Sequence, residues 1–94
     1  MTLEEVCLEY DRLTRLRDSL KAALADYQPP PSFTQQEVDF DKENQRRAIH
    51  GVHSQLYWLR NEYENLGGLG ITEREILLDA KRVTEGQEVR RWSE

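Results

Sequence analysis

His50 and His53 stand three residues apart in a helical pattern, a spacing at which two imidazoles can share one metal ion. Two histidines make half a site. No acidic residue falls at a suitable helical offset between positions 46 and 57, so further ligands would have to come from elsewhere. The pair reads first as part of a polar-to-basic stripe, Lys42, Arg46, His50 and His53, along one side of the same helix. Such a stripe could face phosphate, or meet an acidic face such as Glu37, Asp39 and Asp41, or lie in solvent with local ion pairs. Gly67-Gly68-Leu69-Gly70 has the glycines of a phosphate loop, but no strand precedes it and no lysine follows. The single cysteine, Cys7, excludes an internal disulfide and a cysteine-based zinc cluster, and reads as a small half-buried hydrophobe. No nucleophile–base pairing stands out among the serine, cysteine and histidine positions, and the carboxylates spread along solvated faces. The residues therefore point away from an enzyme, with no catalytic residue, cofactor or metal expected, and towards a part that binds other macromolecules.

The elements that carry these residues are helical. Thr2-Leu3-Glu4-Glu5 fits a capping box, with Met1 and Val6 placed for a hydrophobic staple. A first helix follows to about Asp26, where Pro29-Pro30-Pro31 stops it. Its apolar seam is Leu3, Val6, Tyr10, Leu13, Leu20, Leu24 and Tyr27, interrupted by Arg17. Arg17 either lays its stem along the seam with its head in water or forms a buried pair whose partner the sequence does not name. A second seam, Ile49, Val52, Leu56, Leu59, Tyr63 and Leu66, defines a long second helix, with Asp41 as its expected N-cap and Gly67-Gly68 as its stop. Two helices of similar length imply an antiparallel pair.

Between the helices, Ser32-Phe33-Thr34 and Glu37-Val38-Asp39-Phe40 flank Gln35-Gln36. The alternation predicts a small β-hairpin, with Phe33, Val38 and Phe40 on one face lidding the open end of the pair. Gln-Gln is a poor sequence for such a tight turn. After the second helix, Gly67–Gly70 reads as a flexible hinge. Thr72-Glu73-Arg74-Glu75 is a second capping box, opening a short third helix that ends near Gly86. Positions 87–94 read as a fraying tail. The expected fold is mainly α with a small β-hairpin: a helix–hairpin–helix core over 1–66, then a glycine hinge, a short helix and a flexible tail over 67–94.

A chain of 94 residues holds one small domain. A third of the residues are charged, and no apolar run approaches the roughly 20 residues of a membrane span, so no membrane partner is expected. The N-terminus lacks the basic-then-apolar order of a signal peptide, and synthesis in the cytoplasm is expected. The net charge of −5 argues against wrapping nucleic acid as the main task. Leu8 and Leu16 on the first helix, and Tyr57 and Trp58 on the second, fall off the seams. Either the third helix covers them, or another copy or another protein does.

The order of helix, short hairpin, helix and loose tail resembles the head–tail joining protein W family of lambda-like phages. The resemblance rests on Pro31-Ser32-Phe33-Thr34-Gln35-Gln36-Glu37-Val38-Asp39-Phe40, then the polar start of the second helix and its seam from Ile49 to Leu59, and covers about residues 3–66. The family turn usually carries a glycine, where this chain has Gln35-Gln36, and the helix after Gly67 is extra. Arg90-Arg91 looks like the basic tail of such proteins. The resemblance implies a structural virion protein in the phage neck, made in the host cytoplasm. It would form an oligomeric ring of identical subunits on the portal protein and meet the tail or the next neck protein, with at most transient contact with DNA in the channel. The contact residues expected under this reading are Leu8, Leu16, Tyr57, Trp58, Ile76, Leu77, Val83 and Trp92, with Lys42, Arg46, His50 and His53 as the phosphate-facing stripe. The alternatives are a small acidic regulator or inhibitor, such as a phage anti-defence protein or an antitoxin, and a plain helical adaptor.

Overall fold

The computed structural model describes residues 1–92 as three helices, α1 (Leu3–Ala25), α2 (Gln35–Asn65) and α3 (Glu73–Thr84). The molecule is a rod of 61 × 23 × 20 Å. Helix α1 is its axis: both α2 and α3 pack against it. All three helices begin in the same way. Thr2, Thr34 and Thr72 sit in extended conformation, and each side chain accepts the backbone N–H three residues on, from Glu5, Glu37 and Glu75.

The central of these caps corrects the hairpin. Among the described residues there is no strand, and the only ladder-like contact is an isolated antiparallel bridge between Gly68 and Arg91. Gln35-Gln36 is not a hairpin turn but the first turn of α2. The Pro30 carbonyl accepts from the Phe33 N–H in a tight turn, Thr34 caps, and the Thr34 hydroxyl also donates to the Glu37 carboxylate at 3.2 Å. Thr-x-x-Glu is a helix-start signal, and it prevails over a two-strand alternation with unsuitable turn residues. Helix α2 therefore starts about six residues before the expected Asp41 cap and runs for 31 residues, about 46 Å. Phe33 and Phe40 do not lid the pair; Phe40 is 68% exposed. Asp41 lies inside the helix and accepts the Tyr27 hydroxyl at 2.6 Å, while the Lys42 ammonium sits 5.8 Å from the Tyr27 ring centre.

The far ends of α2 and α3 follow one scheme. Gly67 (φ 91°) and Gly86 (φ 75°) adopt left-handed backbone just past their helices. The Gly67 N–H bonds the Glu64 carbonyl and the Gly68 N–H the Tyr63 carbonyl; Gly86 and Gln87 repeat this on Val83 and Arg82. This closing pattern satisfies carbonyls that a helix end leaves free.

One core joins both parts of the chain. Leu3, Val6, Cys7, Tyr10 and Leu13 of α1 pack with Val52, Leu56 and Tyr63 of α2, with Ile76 and Ala80 of α3, and with Val89 of the tail. The tail through Trp92 is docked, not frayed: Val89 is buried, the Arg91 guanidinium pairs with Glu4, and the Trp92 N–H donates to the Gly67 carbonyl at 2.9 Å. Ser93 and Glu94, the end of the tail expected to fray, lie outside the described residues. Beyond this core the end of α1 and the start of α2 continue as a two-helix arm. No residue of α1 after Thr14, and none of α2 before Ile49, is fully buried.

Candidate functional site

The polar groups with the most enclosed surroundings work inside the fold. Tyr63, on the α2 seam, is fully buried, and its hydroxyl donates to Asp79 and accepts the Gly70 N–H at 2.7 Å. Asp79 is itself fully buried and accepts Arg90 Nε at 3.2 Å, with Arg82 Nε at 3.9 Å. Burial and the Asp79 carboxylate push the Tyr63 phenol up to about 12. Three separate segments, the Gly67–Gly70 loop, α3 and the tail, are thus tied to one phenol. The loop is a clasp around that ring rather than a hinge. A Cβ at Gly68 would fall 2.3 Å from the ring's Cζ, and one at Gly70 would fall 2.8 Å from the hydroxyl. A sequence signal for Asp79 existed: it lies on the same helical stripe as Ile76, Ala80 and Val83.

Arg17 finds its partner in α3. Its two terminal nitrogens contact the Glu73 carboxylate at 2.8 and 2.7 Å, and its Nε contacts Asp18 at 3.0 Å. The Arg17 side chain is 14% exposed. The guanidinium holds the Glu73 carboxyl below its ordinary range. This is the paired alternative for Arg17, with the partner supplied by the first residue of α3.

Cys7 is fully buried, and burial, with Asp79 and Glu4 nearby, pushes its thiol up to about 12. At neutral pH it stays a protonated thiol and is no nucleophile. No group of three histidine, cysteine or acidic residues among the described residues is arranged to hold a metal ion. His50 and His53 are both exposed on α2. The basic stripe is diluted where it stands. Lys42 lies over Tyr27, and Arg46 and Arg47 share the Glu43 carboxylate at 3.8 and 3.7 Å.

The expected contact residues divide into two sets. Ile76 is fully buried, and the half-buried Leu77 and Val83 pack against the core of this same chain, so α3 docks on its own α1. The other set is exposed: Leu8 (43%) and Leu16 (39%) on α1, Tyr57 (67%) and Trp58 (72%) on α2, and Trp92 in the tail. Helix α3 does not cover them. Trp58 stands at the rim of a shallow groove along the α1–α2 seam, lined also by Glu9, Leu13, Gln55 and Leu59. Phe40, which sequence reasoning assigned to a lid, falls about five full turns before Trp58, on the same side of α2 and roughly 27 Å away. An aromatic side chain exposed beside an apolar groove on an otherwise charged rod is a surface suited to another protein. Among the described residues no helix is long and apolar enough to cross a membrane. Comparison with protein-family models, with curated proteins and with solved structures found no match.

Proposed function

We propose that this chain is a non-catalytic assembly subunit that works by docking other proteins along the exposed face of α2 and, more narrowly, that it is a head–tail connector subunit of a tailed phage. The observation that carries the reading is Trp58. The core closes without it, yet this large aromatic stays 72% exposed beside an apolar groove. Residues of this type anchor protein interfaces. The connector form draws on the sequence resemblance, on the helix–loop–helix order and on a rod shape that suits side-by-side packing in a closed ring. It has lost one support, because the hairpin that the resemblance included is a helical turn. In this role the partners are identical subunits, the portal protein and the tail or next neck protein, and a net acidic surface lets DNA pass without sticking.

A second reading, a small acidic regulator or inhibitor, draws on the arm. There Glu37, Asp39 and Glu43 lie exposed around the solvent-facing Phe40. Mass spectrometry of purified particles separates the two. A peptide spanning residues 48–60 at a fixed ratio to the portal protein supports the connector. Its absence from particles, with the protein present in infected cells, overturns the connector and leaves the regulator.

A further inference from the structure

Two grooves of opposite character lie on separate parts of the rod. On the arm, Phe33 and Phe40 flank a groove lined also by Glu37, Asp41 and Asn44, with no cation among its lining residues. On the outer side of α3, Leu78 (49% exposed) borders a groove with Lys81, Arg82 and Arg90, and Glu85 is its one acidic residue. Arg82 and Arg90 are partly neutralised by the buried Asp79. Lys81 is exposed and pairs with no carboxylate among the described residues. The acidic groove combines aromatic surface with carboxylates, and the basic face combines a leucine with a cation. Each offers what the other lacks. They cannot meet within one chain, because α3 is clamped to α1 through Ile76, Ala80 and the Arg17–Glu73 pair, while the acidic groove sits on the arm beyond that core.

We propose that the acidic aromatic groove on the arm of one copy receives the Leu78–Lys81 face of α3 from a second copy. The proposal rests on the assembly-subunit reading and names the surfaces through which identical copies would join. Phe40 covers Leu78, and Lys81 approaches Glu37 and Asp41. The apolar contact supplies affinity, and the charges set register and orientation. The two surfaces differ, so the contact is heterologous. A copy bound through its arm still offers its α3 face, and repetition gives a ring if the rotation closes and a filament if it does not.

The test is sedimentation velocity of the full chain across a wide concentration range, at low and high salt. The expected result is self-association that weakens as salt rises. Phe40→Ala and Lys81→Glu should each weaken it roughly tenfold. Both positions are exposed, and unchanged helical circular dichroism would show that the fold is kept. Mixing the two variants should restore a complex of two copies, since each retains the surface that the other has lost. Placing Glu37→Lys and Lys81→Glu in one chain should recover association that Lys81→Glu alone weakens. A wild-type chain that stays monomeric throughout overturns the proposal, as does self-association that Trp58→Ala abolishes and these variants leave intact. The two readings fail separately. A monomeric chain found in particles removes only this contact, and a self-associating chain absent from particles removes only the connector.

Discussion

Arg17 of α1 and Glu73 of α3 face each other as a two-pronged pair although 56 positions separate them in the chain. The guanidinium interrupts the apolar seam of α1 at the point where the first turn of α3 arrives. One pair therefore fixes where the third helix starts along the first.

Replacing Arg17 with Ala should cost about 1–2 kcal/mol, between the values of exposed and of buried ion pairs. In a chain of this size that is a fall in Tm of about 4–8 °C per kcal/mol. A double-mutant cycle with Glu73→Ala should give a positive coupling. The Glu73 carboxyl is held below its ordinary value of 4.5, so its share of stability is present above that pH and is lost as the pH falls through the lowered value. The difference in Tm between the wild type and Glu73→Gln should shrink in acid.

Tyr63→Phe removes one hydroxyl and leaves the Gly70 N–H without its partner and Asp79 with only its arginines. The expected loss is about 1–3 kcal/mol, read by urea unfolding. The folded-state phenol is raised to about 12 from an ordinary value of 10.0. It therefore contributes stability that is complete below pH 10 and disappears as the pH climbs through 12. Alkaline unfolding should be steeper in the wild type than in Tyr63→Phe.

The glycines of α2 and of the loop that follows it should respond in opposite directions. A Cβ at Gly51 has nothing within 4 Å, so Gly51→Ala should stabilise the helix by about 0.5–1 kcal/mol. Gly68→Ala drives a methyl into the Tyr63 ring and should destabilise by about 1–3 kcal/mol. Thermal melts of the two variants check both signs.

Trp58→Ala should change stability by no more than about 0.5 kcal/mol, because the side chain is largely in water. Partner binding should fall instead. The protein has two tryptophans, Trp58 and Trp92, and both are exposed. Its fluorescence should be that of solvated indole, readily quenched by acrylamide, and a partner that covers Trp58 should shift the emission to the blue.

Much of this architecture was legible in local sequence. The box at Thr2–Glu5, the threonine cap at Thr72, the proline stop, the seams and the glycine ends all act within a few residues of themselves. Thr34–Glu37 carries the same signal as the other two starts, but the alternating Phe33, Val38 and Phe40 around it mimic a strand and mask the cap. Arg17 was conspicuous, yet its partner arrives only with the packing of α3. The docking of the tail is not legible locally, because Val89 and Trp92 are its only apolar residues among charges; Glu4, Asp79 and the Gly67 carbonyl that hold it come from three other parts of the chain. Tyr57 and Trp58 stood off the seam, but whether α3 covers them, like the cover for Ile76, Leu77 and Val83, depends on where α3 lands.

The arm leaves the molecule with a gradient of local stability along its length. Amide hydrogens near Val6–Leu13 and Leu56–Tyr63 should exchange only through global opening, whereas those of residues 22–48 should exchange through cheap local fraying. Any partner that grips the arm would have to suppress that fraying. Binding there should register as newly slowed exchange far from the core, even where the shape of the rod does not change.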